Sequence, residues 1–152
     1  MNKKVCGSSL IEVMVSLLVL AIGLLGVLGM QVQSLKSNQN AYLYSQAAFL
    51  ANDIYESINL FSDDASDFSI ALSSSTPTLP NCTSSDSSCS KNDVIQWAQS
   101  AWRTNVENLL PGGKGAVVLN NGAYEIQIQF IVGYDKDNGP ETEIYSLNTG
   151  LL

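Results

Sequence analysis

Three groups of residues in this chain have the types and spacing for chemistry. Glu12 is the sole charge between Lys4 and Lys36, set in the otherwise apolar stretch SSLIEVMVSLLVLAIGLLGVLG. Cys82 and Cys89 flank a short polar loop, CTSSDSSC, and Asp135, Asp137 and Asn138 crowd into YDKDNGPE. A carboxylate in hydrocarbon is costly, so Glu12 calls for a cationic partner. Two cysteines this close in a Ser/Thr-rich loop, with no histidine nearby, point to a disulfide before a metal site, with two free thiols as the alternative. Such a bond would contribute about 2.5 kcal/mol in the chain-entropy treatment. It would also place the body of the protein in an oxidising compartment. The aspartates invite calcium, but an EF-hand loop wants glycine at its sixth position and glutamate at its twelfth. Counting from Asp135, Gly139 is fifth and Ser146 twelfth, so the segment reads as a connecting turn.

The chain of 152 residues contains no histidine. That removes the Ser-His-Asp and Cys-His nucleophile systems, most catalytic zinc sites and the usual neutral-pH base. No acid/base pair stands out among the fourteen Asp and Glu, which read as solvated surface. The expectation is a protein that is not an enzyme and has no catalytic, cofactor or metal residues. A formal net charge of −7 with few clustered cations makes nucleic acid a poor general partner, since phosphate binding needs a basic stripe.

Which elements would position Glu12? From Val13 to Leu35 there is no charge, a run of about 23 residues or roughly 35 Å as a helix, enough to cross a bilayer with some tilt. Lys3 and Lys4 precede it without a neighbouring acid, which favours a cytoplasmic N-terminus and leaves the rest of the chain outside. The run is too long for a secretory signal, and no A-x-A site closes it. Cys6 precedes the apolar run instead of following it, unlike a lipoprotein signal. Gly23, Gly26 and Gly29 follow at i, i+3 spacing, which suits close helix packing, local unwinding or ordinary membrane glycines.

KKVCG followed by SSLIEVMVSLLVLAIGLLGVLG resembles the class III signal of type IV pilins and pseudopilins: a short basic leader ending in glycine, then a hydrophobic helix with glutamate at its fifth mature position. The resemblance implies cleavage between Gly7 and Ser8 by a membrane-embedded prepilin peptidase, N-methylation of Ser8, and an assembly role for Glu12. Ser8 departs from the family's usual phenylalanine at that position. Cutting there creates an ammonium one helical turn from Glu12. In a bundle of such helices, the Ser8 ammonium of one subunit could meet Glu12 of another and fix axial register, because any other offset leaves a charge unpaired. A pair within one subunit is the alternative. Loss of Lys3 and Lys4 would leave five cations against fourteen acids, a net −9.

Beyond Lys36 the helix is expected to continue. Leu43, Ala47, Leu50, Ile54, Ile58 and Phe61 recur at three- and four-residue steps, the pattern of one buried stripe. FSDDASDF ends it, and residues 73–90 are a Ser/Thr/Pro-rich loop. Ser90 reads as the N-cap of a second helix, with Asp93 completing a capping box. Val94, Ala98, Ala101 and Leu109 form its predicted buried face, broadened by Trp97, Trp102 and Val106, and LPGG stops it at Leu110. The tryptophans are expected in the core before any ligand platform. AVVL, a turn at NNG, and the period-two run YEIQIQFIV predict a hairpin. Tyr124, Ile126, Ile128, Phe130 and Val132 should face the core, with Glu125, Gln127 and Gln129 facing water. TEIYSL is the last predicted strand. The fold class is α+β: a long helix, transmembrane then amphipathic, packed on a small antiparallel sheet with an inserted helix. The expected divisions are a cleaved leader at 1–7, an apolar helix at 8–35 and a periplasmic head at 36–152.

The soluble half resembles the PilV-type minor pilins, the type IV pilus modification proteins, in the order of FLANDIYESINLF, the paired cysteines, KNDVIQWAQSAW, LLPGGKGAV and YEIQIQFIVGYD. Gly133 and Tyr134 depart from that family's common V-x-W. The resemblance implies a type IV pilin-like fold and a low-abundance structural subunit, held in the inner membrane and then at the pilus tip. There it would join other minor pilins, the major pilin and a tip adhesin to prime assembly and support adhesion or twitching motility. A minor pseudopilin of a type II secretion system is the near alternative, and a membrane-anchored periplasmic enzyme or binding domain the distant one.

Overall fold

A computed structural model describes residues 9–61, 66–80, 82, 88–120 and 123–150. Its elements are helix α1 (Leu10–Leu60), helix α2 (Lys91–Leu109) and strands β1 (Lys114–Asn120), β2 (Ala123–Asp135) and β3 (Gly139–Gly150). The chain divides into two compact units, Met1–Gln39 and Asn40–Leu152.

In the second unit, the three strands form an antiparallel sheet in the order β1-β2-β3. Its core face is set by β2, where Tyr124, Ile126, Ile128 and Phe130 alternate inward and are buried. From α1, the stripe Ala47, Leu50, Ala51, Ile54 and Ile58 is buried in the same core, with Leu43 and Phe61 packed at its margins. Step spacing of three and four residues on the helix meets period-two spacing on the strand, so one apolar stripe covers one apolar face. Tyr44 adds an edge-on ring contact with Phe130 at 5.2 Å and donates its hydroxyl to Glu143 at 3.2 Å. The fold is therefore the expected α+β arrangement, a long helix packed on a small antiparallel sheet with a second helix.

Helix α2 begins as its sequence requires. The Asp93 amide donates to the Ser90 hydroxyl oxygen at 3.3 Å, and the Ser90 amide donates to the Asp93 carboxylate at 2.8 Å, a reciprocal capping box. The helix ends at Leu109, and the Leu110 amide donates back to the Val106 carbonyl. Its buried face differs from the expectation. Ile95, Gln99, Trp102, Arg103 and Val106 are buried, whereas Val94, Trp97 and Leu109 are exposed. The helix is rotated relative to the sequence reading because it carries apolar residues on two adjacent faces. The inner face also takes Gln99 and Arg103, whose polarity hid it. Trp102 is thus a core residue and Trp97 is not.

Two further differences concern the sheet. Glu125, Gln127 and Gln129 are half-buried and not fully in water, because β2 is the central strand and side chains from both neighbours flank them. Strand β3 is twice as long as TEIYSL, since GPE and the residues after Leu147 stay paired with β2. Outside the named strands, Ile70 pairs with Val117 in an isolated bridge, laying the loop after α1 along β1.

Candidate functional site

Glu12 lies in the first turn of α1, where a carboxylate meets the positive end of the helix dipole. The turn is closed by the Glu12 and Val13 amides donating to the Ser9 carbonyl at 2.9 and 3.3 Å. Gly7 and Ser8, the expected cleavage and methylation positions, lie outside the described residues. On both sides of Glu12 the helix surface is apolar and open: Leu10, Leu18, Leu25 and Met30 are all exposed. Ser16 is tolerated there because its hydroxyl donates to the Val13 carbonyl at 2.9 Å, which satisfies it within the helix. Among the described residues, α1 is the one helix long and apolar enough to cross a membrane. An exposed apolar surface of this extent needs either lipid or other helices around it. Helix α1 is unbroken through Gly23, Gly26 and Gly29, so local unwinding at these glycines is not observed. A Cβ at any of the three would meet nothing within 4 Å, so among the described residues no contact requires their small size.

Residues 2–28 match the prokaryotic N-terminal methylation motif. The motif places Gly7, Ser8 and Glu12 within one matched segment and supports the type IV pilin superfamily. It is consistent with prepilin-peptidase processing, assembly with pilins and anchoring in the inner membrane, and it points to a structural role. No curated protein and no solved structure matches the chain.

The remaining candidate residues sit in the second unit. Cys82 and Cys89 are joined as a disulfide with their Cα atoms 5.7 Å apart. Cys89 immediately precedes the Ser90 cap, so the bond fixes how the chain enters α2. In the turn from β2 to β3, the Asp135 carboxylate accepts from the Asp137 and Asn138 amides at 2.9 and 2.8 Å. These bonds hold its carboxyl below the usual carboxylate range. Gly139 completes the turn at φ +82°, a left-handed conformation that glycine adopts without strain. The segment behaves as a hairpin connection, with its carboxylate turned to the backbone.

Arg103 was not legible as a special residue in the sequence. It is buried, donates to the Ser74 hydroxyl at 2.9 Å, and reaches the Ser75 carbonyl at 3.5 Å. Burial pulls the guanidinium below its ordinary pKa, partly opposed by the nearby Glu107. Ser100 donates to the Pro77 carbonyl at 2.7 Å, and Thr76 donates to Glu107. Together these bonds strap residues 74–77 along α2. The signal in the sequence was an arginine on the face of an amphipathic helix turned toward a polar loop.

Proposed function

We propose that the chain is a minor pilin of the PilV type, priming type IV pilus assembly within a minor-pilin complex at the fibre tip. The observation that supports this reading is the methylation motif at residues 2–28, whose part from Leu10 onward lies on a helix with an open apolar surface there and a stripe from Ala47 to Ile58 buried in the head's core. In this reading prepilin peptidase cuts after Gly7, Ser8 becomes the methylated N-terminus, and residues 8–35 anchor the subunit in the inner membrane. Residues 36–152 form the periplasmic head. The new ammonium pairs with Glu12 of a neighbouring subunit and sets the axial offset between helices. A disulfide in the head suits that compartment.

Intact mass spectrometry of the protein from its native membrane tests the processing step. A mass that starts at Ser8, with or without one added methyl, supports the reading. A mass that starts at Met1 removes the ammonium at Ser8 and overturns it. Deletion of the chain then separates the machines: loss of surface pili and twitching supports the pilus. Blocked release of exoproteins with pili intact would assign the chain to a type II secretion system instead.

A further inference from the structure

Strand β3 is an edge of the sheet. It pairs with β2 along Gly139–Gly150, and among the described residues no strand pairs with its other side. An open edge of twelve residues is long, since a row of free amides and carbonyls templates pairing with another chain. Natural edges are blunted by proline, charge, inward-pointing acids or bulges. Here all four devices sit at one end. Pro140 and Glu141 open the strand, Glu143 points to the core side where Tyr44 holds it, and the irregularity at Ile131/Gly133 lies opposite Thr142 and Glu141. From Ile144 to Gly150 the edge has no charge, no proline and no irregularity, and Ile144 is half exposed.

We infer that the outer edge of β3 receives an extended segment of another subunit as a fourth strand. Backbone hydrogen bonds along Ile144–Gly150 would supply affinity, and side-chain pockets on alternate positions would supply choice. Charge defines the occupant. The turn end of the edge carries Asp135, Asp137, Glu141 and Glu143 against Lys136 alone. The incoming segment is therefore uncharged along Ile144–Gly150 and carries lysine or arginine beside Glu141. A second copy of β3 does not fit this description, because β3 has no cation of its own. That the donor is a subunit of the same fibre rests on the function proposed above.

The test is a photo-reactive amino acid at position 144 of the full chain, expressed in its host and irradiated in intact membranes. The expected adduct is with a different subunit bearing its own N-terminal methylation motif, at a peptide that contains lysine or arginine flanked by uncharged residues. The exposed change Glu141→Lys should leave the melting temperature unaltered and lower adduct yield about tenfold, the scale of a reversed charge at an interface rim. Hydrogen exchange of the Ile144–Gly150 amides should slow in the assembled fraction relative to the purified subunit. No adduct, an adduct with a second copy, yield indifferent to Glu141→Lys, or unchanged exchange would each overturn the strand addition. A deletion strain that keeps its pili would instead sink the pilus reading and leave the edge untouched.

Discussion

The indole N–H of Trp102 donates to the carbonyl of Leu50 at 2.8 Å, linking α2 to the C-terminal part of α1 across 52 positions of sequence. Both residues are buried, and that carbonyl belongs to a helix interior, so the indole adds a second donor to it. Trp102→Phe removes the donor and part of the ring. Because Leu50 keeps its helical geometry, the expected loss is about 1–2 kcal/mol. Trp102→Ala also opens a cavity and should cost about 3–5 kcal/mol. Urea unfolding of the full chain in detergent, followed by far-ultraviolet circular dichroism, measures both. Equal midpoints for the two variants would refute this division of roles.

Gly115 lets β1 run close to that ring. A Cβ at Gly115 would lie 2.4 Å from Trp102 Cη2, a wall of buried aromatic carbon that cannot swing away. Gly115→Ala should therefore destabilise the head by about 1–3 kcal/mol, the usual cost of overpacking. Gly150→Ala, whose Cβ meets nothing within 4 Å, is the matched control and should leave the melting midpoint in place. A harmless Gly115→Ala would mean that β1 and the Trp102 ring can part enough to admit a methyl group.

How much of this arrangement is legible in the sequence depends on how one-sided each element is. The α1 stripe from Leu43 to Phe61 is legible because the helix buries a single face and keeps Asn52, Asp53 and Glu56 outside it. The capping box at Ser90 and Asp93 is legible because it is local chemistry. Helix α2 misleads because Val94, Trp97 and Ala101 compose a plausible apolar face beside the true one. Its buried Gln99 amide and one terminal nitrogen of Arg103 find their partners in loop groups distant in sequence, while the Arg103 Nε has none among the described residues. The start of β3 is hidden by Gly139 and Pro140, which signal a turn, while pairing with β2 overrides them. The Ile70–Val117 bridge has no local signature at all, being a contact between distant segments. Of the candidate assembly residues, Glu12 stands out because a carboxylate in an apolar run is too costly to keep without a specific interaction.

The disulfide can be weighed directly. Cys82→Ser should lower stability by about 2.5 kcal/mol, the loop-closure contribution for so short a ring. It should also leave one titratable thiol at Cys89 where the wild-type pair shows none without reductant. Reduction of the wild type should shift its melting curve in the same direction. An unshifted curve would mean the bond adds nothing to the head's stability.

Acid should loosen the entry to α2. Hydrogen bonds from the Ser90 side chain and then its backbone hold the Asp93 carboxyl below its ordinary 3.8. A folded-state pKa below the unfolded value means the contribution is fully present above the unfolded pKa and is lost as pH falls through the folded one. Neutral to mildly acidic solution should therefore leave the cap intact, with its contribution declining below about pH 4. Asp93→Asn removes the titrating group, so the melting temperature of that variant should fall less steeply across the acid limb than that of the wild type. Parallel limbs would show that the cap does not couple to pH.

Glu12 offers the decisive test of the register idea, because its charge can be removed without changing its shape. Glu12→Gln keeps the side chain's length and its place in the first turn of α1. Cleavage depends on the leader, so the mature mass should still begin at Ser8. If the Ser8 ammonium of one subunit meets this carboxylate on another, Gln leaves that ammonium unpaired in hydrocarbon, at a cost of about 3–5 kcal/mol per junction. Subunits should then accumulate, processed, in the membrane and fail to enter fibres, with surface pili falling at least about a hundredfold. Glu12→Asp, which keeps the charge on a shorter arm, should restore part of the assembly. Normal piliation by the Gln variant would show that the apolar surface alone sets register and that the Glu12 carboxylate has no part in it.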